Sequence, residues 1–308
     1  MSALRGKILV IRGGAIGDFI LTLPAIAALR QQFPEAYLEV LGYPHIIQLA
    51  TQAGLVDHAR SIESRPLAAF FGRGVDLAEE LQDYFSEFDL IVSYLYDPDE
   101  IFRTNVGRCS PAQFIAGPHR PDEKGTLHAT QVYLKPLEKL AIFDADPVPR
   151  LPLRTAVLSA PISNELALHP GSGSDTKNWP ERRWADLVQR LIDRTNFNLL
   201  LVGGEAEGER LQRLAAALPP ARTRVAQSLP LSHLAARLAR CVGFLGHDSG
   251  ISHLAAALDL TGLILWGHTA QEIWRPMSAR MTVLRHPLGL QRLPADQVFQ
   301  TVCQLWTP

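Results

Sequence analysis

Four short stretches of this 308-residue chain collect the residue types that carry chemistry. The first is Gly13-Gly14-Ala15-Ile16-Gly17-Asp18. Glycines here let backbone approach a ligand and present helix-start amides to an anion. Asp18 has two readings at that position: a carboxylate complementing the helix dipole, or a general base taking a proton from a hydroxyl. Gly14 and Gly17 fit the last two glycines of a dinucleotide-binding turn, but Arg12 stands where the first belongs. The second strand ends Leu41-Gly42-Tyr43 without a ribose-binding acid, which argues against a nicotinamide dehydrogenase.

The second stretch runs from His169 to Pro180, HPGSGSDTKNWP. Ser172, Ser174 and Thr176 offer hydroxyls and amides, Lys177 a cation, and Pro180 starts a helix, a composition suited to cradling phosphate. The plain alternative is a Ser/Gly/Asp connector with Trp179 in the core. The third, Gly246 to His253 (GHDSGISH), places Asp248 and His253 around Ser249 and Gly250, whose amides open another helix; Asp248 and His253 can equally form a structural pair. It lacks the glycine-flanked elbow of a hydrolase serine. The fourth, Gly203-Gly204-Glu205-Ala206-Glu207, offers Glu205 or Glu207 to a ribose diol, or simply acids to a solvated helix start. His247, His268 and His286 have no metal-ligand spacing, so no metal is expected.

Each stretch follows a predicted strand. Residues 7–12 (KILVIR) form an apolar, β-branched run leaving into Gly13-Gly14, followed by a helix from Gly17-Asp18 to Pro34 and a strand over 37–41. Helices are predicted over 46–53, 77–88 and 130–140, and a strand over 90–95. A second βα series has strands at 165–168, 198–202, near 224, 243–246 and 261–266, with helices over 181–195, 207–217, 232–240 and 252–258. Between them, residues 143–163 carry Pro147, Pro149, Pro152 and Pro161 and read as a linker. The expected architecture is α/β: two doubly wound, Rossmann-like domains, 1–155 and 156–308, with ligands in the cleft between them beyond the carboxyl ends of the strands.

Composition sets the frame. With 47% hydrophobic and 20% charged residues and a net charge of −1, the chain is neither disordered nor fibrous. Its halves differ: 15 basic against 19 acidic residues before 156, and 15 against 12 after it. A mildly cationic second half suits an anionic small ligand, and neither half has the basic stripe of a nucleic-acid binder. Cys109, Cys241 and Cys303 fit no zinc or redox spacing and read as packing residues in a reducing compartment. With no run of about 18 apolar residues and no signal peptide at Met1–Lys7, a cytoplasmic protein is expected.

Taken together, KILVIRGGAIGDFILTLPAIAALRQQFP, HPGSGSDTKNWPERRWADLVQRL, LLVGGEAEGERL, FLGHDSGISHLAAAL and LILWGHTAQEIWRP, in that order, resemble glycosyltransferase family 9, the bacterial heptosyltransferases of the lipopolysaccharide inner core. HATQVYLKPLEKLAI resembles the family's helix before the linker. The resemblance implies a GT-B fold with an N-terminal acceptor domain and a C-terminal domain for a nucleotide sugar, usually ADP-heptose, as co-substrate, with no cofactor. It implies inverting, metal-independent transfer, with Asp18 matching the catalytic carboxylate and Lys177 the phosphate-contacting lysine. On the same model Ser172, Ser174, Thr176, Ser249 and Gly250 add donors to the diphosphate, Asp248 lies near the donor sugar, His253 supports it, and Glu205 or Glu207 holds the ribose.

The implied acceptor is a lipid-linked or core oligosaccharide, which is anionic. Arg65, Arg73, Arg103, Arg108, Arg120 and Lys124 are therefore candidate contacts, each with the alternative of a solvated charge. The apolar run 66–71 suits peripheral contact with the inner membrane, or a buried helix end. Two other readings stay open: a sugar-nucleotide isomerase of the same architecture, and a nucleotide-sugar-binding paralogue without activity.

Overall fold

The structure, a computed structural model, describes residues 6–153, 164–205 and 207–306. The chain divides into two compact units, Met1–Pro147 and Val148–Pro308. The boundary expected at 155/156 lies outside the described residues, and the division comes earlier. Leu151 is already buried in the second unit, and its N–H donates to the Ala257 carbonyl. One buried side chain and one hydrogen bond therefore recruit the front of the proline-rich segment.

In the first unit β1 (Lys7–Arg12), β2 (Tyr37–Gly42), β3 (His58–Ser61), β4 (Leu90–Ser93) and β5 (Gln113–Ala116) form a parallel sheet in the order β3-β2-β1-β4-β5. Ile8 pairs with Leu38 on one side and Leu90 on the other. Such central strands are covered on both faces, which is why β1 is continuously apolar up to Arg12. The helices are α1 (Ile16–Gln32), α2 (Pro44–Gln52), α3 (Glu79–Ser86), α4 (Ile101–Gly107) and α5 (Ala129–Leu134). Helix α1 is buried from Phe19 to Ile26, so it carries apolar residues all round instead of on one stripe. The helix expected over 130–140 is α5 continued by a 3-10 turn, Lys135–Leu140, whose change of pitch coincides with Pro136. Strands β3 and β5 and helix α4 had no periodicity to reveal them: β3 is the polar edge strand His-Ala-Arg-Ser, and among the described residues β5 pairs only with β4.

The second unit, among the described residues, has a six-stranded parallel sheet in the order β11-β10-β9-β6-β7-β8. The strands are β6 (Glu165–Leu168), β7 (Asn198–Gly203), β8 (Thr223–Gln227), β9 (Gly243–His247), β10 (Gly262–Trp266) and β11 (Met281–Arg285). Between them run α6 (Glu181–Arg194), α7 (Gly208–Ala216), α8 (Leu231–Leu238), α9 (Gly250–Ala257) and α10 (Gln271–Trp274), and α11 (Ala295–Trp306) returns to pack on α6. The core joins Leu166, Leu168 and Leu245 of the sheet to Trp184 and Leu187 of α6 and Val298 and Val302 of α11. In both sheets the strand order reverses beside the first strand: between β1 and β4, and between β6 and β9. Loops leaving such a reversal diverge and open a crevice. The Asp18 turn follows β1, while the Lys177 and Asp248 loops follow β6 and β9.

Candidate active site

In the first unit the turn after β1 is built around Asp18. Its Oδ2 accepts a hydrogen bond of 2.9 Å from the Ala15 N–H, one of the orphan amides of α1. Gly14 makes room for this. Its φ is +97°, and a β-carbon there would lie 2.7 Å from Asp18 Oδ2. Gly14, read with Gly13 as a cradle for an external anion, thus accommodates the protein's own carboxylate, which already occupies the Ala15 amide, while Gly13 abuts Leu95. Gly17 lies inside α1. The dipole-complementing and proton-accepting readings of Asp18 fall on different atoms: Oδ2 is engaged, while Oδ1 accepts no hydrogen bond among the described residues. The side chain remains 31% exposed.

Arg12, noted in the sequence only as breaking a glycine fingerprint, is the buried partner. Its side chain is 2% exposed and a guanidinium nitrogen stands 3.6 Å from Asp18 Oδ1. A charge at the end of a buried apolar strand was the one signal that could have singled it out.

The candidate acceptor contacts are scattered over this unit. Arg103 lines a hollow of about 220 Å³ with Tyr96 and His119, whose rings meet edge to face at 4.6 Å. Arg103 pairs with Glu100, Arg73 with Asp99 and Arg120 with Glu123, all in exposed pairs. Arg108 donates to the Val75 carbonyl and to Asn105 Oδ1, and Arg65 and Lys124 are exposed. The run 66–71 lies in a 3-10 turn, Arg65–Phe71, that buries Leu67 and Phe70 and sets the Phe71 ring 5.0 Å from Phe102. Core packing therefore accounts for Leu67 and Phe70, while Phe71 stays 44% exposed.

In the second unit the loops after β6, β9 and β10 meet at Asp248. Asp248 Oδ2 accepts from Lys177 Nζ at 2.7 Å and from Thr269 Oγ1 at 2.7 Å. The acid is 8% exposed and the lysine 30%. Asp248 thus orients Lys177 and does not pair with His253, which is buried in α9. Thr269, on the loop after β10, was missed because nothing in Gly267-His268-Thr269 marks it apart from a connector. Ser249 caps α9, its Oγ accepting from the Ser252 N–H, and the Gly250 and Ile251 amides donate to no group among the described residues. They are the free orphan donors of an eight-residue helix.

The loop carrying Lys177 is locked from behind. Ser172 Oγ lies 2.9 Å from the Ser174 carbonyl and 2.7 Å from Asn178 Oδ1, and the Ser174 and Thr176 hydroxyls meet at 3.0 Å. These hydroxyls hold one another, which qualifies their reading as ligand donors. Trp179 is fully buried against Trp184, with its indole N–H donating to the Leu293 carbonyl. His247 closes the loop from beneath: Nε2 accepts from the Trp179 N–H at 3.0 Å and Nδ1 lies 3.2 Å from the Gly171 carbonyl. That pattern assigns the proton to Nδ1. Burial lowers the His247 pKa to about 3, and burial lowers that of His169 to about 4 against the opposing pull of Glu207.

The two candidate ribose acids separate. Glu207 is buried, and its Oε2 accepts from the Gly204 N–H at 2.9 Å. It lies so close to Gly171 that a β-carbon there would be 2.1 Å from Glu207 Cγ. Glu207 therefore joins the loops after β6 and β7, and Glu205 is the exposed carboxylate. No group of three metal-ligating side chains gathers among the described residues, and no helix of those residues is long and apolar enough to cross a membrane.

Residues 153–300 match the model of glycosyltransferase family 9 (heptosyltransferase). Over 94 residues the chain is 43% identical to lipopolysaccharide heptosyltransferase 1 of Pseudomonas aeruginosa, a stretch covering 30% of this chain and 26% of that protein. The first curated relatives are matched over about a quarter to two-fifths of their own length. Likeness of fold extends further. A family 9 glycosyl transferase from Veillonella parvula superimposes with a TM-score of 0.80 at 18% identity, covering 99% of this chain and 98% of the other. The ADP-heptose lps heptosyltransferase II of E. coli gives 0.79 at 19% identity over 97% and 98%. The architecture is thus the two-sheet fold of these enzymes.

Proposed function

Through residues 153–300 the chain belongs to glycosyltransferase family 9, and from that premise we propose that it is an inverting glycosyltransferase, moving heptose or a related sugar from an ADP-activated donor to a lipopolysaccharide core or similar glycan. The observation that carries this reading is a pair of partly exposed charged side chains on the segments that follow strands: the Asp18 carboxylate, whose Oδ1 accepts no hydrogen bond among the described residues, and the Lys177 ammonium paired with Asp248.

In the proposed reaction the acceptor hydroxyl oxygen forms a bond to the anomeric carbon as the bond from that carbon to the diphosphate oxygen breaks. The hydroxyl proton passes to Asp18 Oδ1, and the nucleoside diphosphate leaves with the bonding pair. A carboxylate is a weak base, but proton transfer late in the displacement suffices once the oxocarbenium-like centre is being captured. Lys177 and the Gly250 and Ile251 amides meet the charge developing on the leaving diphosphate, the work of preorganised donors. In this scheme Glu205, the exposed one of the two acids, accepts from the ribose diol. The protein's own cation and amides take the place of a metal in this scheme. With no membrane-crossing helix among the described residues, a lipid-linked acceptor would be met at the membrane surface.

Thermal stabilisation by ADP-, UDP-, GDP- and CDP-sugars, followed by transfer assays on core oligosaccharides, tests the reading. At about 100 times its Kd a true donor adds about 2.7 kcal/mol of stability. Selective stabilisation by ADP-heptose together with transfer is the expected result. Nucleotide release without an acceptor would point to the isomerase reading instead, and binding without any turnover to an inactive paralogue.

A further inference from the structure

Arg12 makes more contacts than a charge-balancing partner needs, and they join three backbone carbonyls. Its Nε and Nη2 donate to the Asp18 carbonyl at 3.4 and 3.3 Å, and Thr22 Oγ1 donates to the same oxygen at 2.8 Å. Its Nη1 donates to the Tyr94 carbonyl at 3.2 Å and to the His119 carbonyl at 2.8 Å. The guanidinium carbon stands 4.6 Å from the centroid of the Tyr133 ring and 6.0 Å from that of Tyr94. One planar fork therefore ties the first turn of α1 to the segments leaving β4 and β5. The carboxylate of Asp18 lies 3.6 Å away, near enough to be drawn toward the cation and too far to spend an Oδ1 lone pair on it.

A guanidinium this deeply buried is expensive to desolvate, and a hydrophobic residue would fill the end of β1 at lower cost. What an apolar replacement cannot do is bind the Asp18 carbonyl while setting a positive charge 3.6 Å from Oδ1 without a hydrogen bond to it. We propose that Arg12 is a positioning residue for Asp18. It anchors the carbonyl of the proton-accepting residue to the segments that follow two neighbouring strands and holds Oδ1 in an ion pair at 3.6 Å that takes no hydrogen bond from it, while the Ala15 N–H restrains Oδ2. Lysine preserves the charge but not the fork: a single ammonium reaches fewer of the three carbonyls, and in fewer orientations. The inference rests on the proposed role of Asp18 as the base.

The test is a double-mutant cycle on transfer activity with Arg12→Met, Arg12→Lys, Asp18→Asn and the two double variants. Nucleoside diphosphate affinity is measured alongside by tryptophan fluorescence, since all five tryptophans, Trp179, Trp184, Trp266, Trp274 and Trp306, lie in the second unit. Arg12→Met is expected to lower kcat about 100-fold and Arg12→Lys about tenfold, each with ADP affinity within twofold of the parent. In the Asp18→Asn background neither change is expected to lower kcat further. If Arg12→Met fails to fold, the Arg12→Lys pair carries the cycle. Undiminished kcat in the Arg12 variants, or losses that persist in full beside Asp18→Asn, would overturn the positioning role. Wild-type activity in Asp18→Asn would instead overturn the reading of Asp18 as base, so the two failures are told apart.

Discussion

The two units carry the same kind of pair with the burial reversed. In the first the cation is hidden and the acid exposed: Arg12 at 2% and Asp18 at 31%. In the second the acid is hidden and the cation exposed: Asp248 at 8% and Lys177 at 30%. Each buried member satisfies its neighbours' backbone or hydroxyl groups and holds a partner that stays about a third exposed. A buried pair is costly to desolvate, and its attraction need not repay that cost, so the arrangement is better understood as orienting than as stabilising. The partly exposed member then matches the chemistry assigned to each half: an acceptor of protons in the first, a cation for phosphate in the second.

The comparison is broken most severely at Asp18. Asp18→Asn keeps shape and the bond to Ala15 but removes the proposed base, and kcat is expected to fall about 10²–10⁴-fold with unchanged ADP affinity. Steady-state kinetics beside a binding titration checks this, and a loss confined to binding would remove the asymmetry between the units. Next is Lys177→Met, which deletes the partly exposed cation. A hydrogen bond to a charged group contributes about 1.5–3 kcal/mol, so ADP affinity is expected to drop roughly 10- to 150-fold by calorimetry. An unchanged affinity would leave the Gly250 and Ile251 amides as the whole anion site.

A third outcome concerns the scaffold beneath Lys177. His247 and His169 are held neutral, with pKa values of about 3 and about 4 against 6.5 for the free side chain. Below 6.5 the unfolded chain takes up protons that the folded one refuses, so their contribution is complete above 6.5 and drains away as pH falls toward 4. The tryptophan-detected melting temperature, which reports the second unit, should fall across that window, and His247→Gln should flatten the fall. A melting temperature constant from pH 6.5 to 4 would contradict the buried neutral histidines. The smallest effect is expected at Arg120, 61% exposed in its pair with Glu123. Exposed pairs contribute about 0–1 kcal/mol, and Arg120→Ala should leave stability nearly unchanged in a denaturant titration and raise the acceptor KM no more than about fivefold.

Much of this was legible in the chain itself. Apolar runs ending in glycine located β1, β7 and β9, because strands buried on both faces must be apolar throughout and must then turn. The same runs placed Asp18, Lys177 and Asp248 just beyond strand ends. Edge elements were not legible: β3 has one sheet neighbour and polar residues, so period and composition were both silent.

What the sequence determined by itself was therefore local: two βα series, the loops that could carry chemistry, and the residue types within them. Only the tertiary structure decided which of those residues face a ligand and which face the protein. Glycines read as a cradle for an external anion made room for Asp18 in one unit and for Glu207 in the other; Arg12, read as a mismatch, became the anchor of the first site. Asp248, a candidate sugar contact, also holds Lys177. The physical reason is that a polar side chain's role is set by whichever partner satisfies it first. Those partners, Tyr94 and His119 for Arg12 and Thr269 for Asp248, lie 21 to 107 residues away in the chain, where no local pattern reaches.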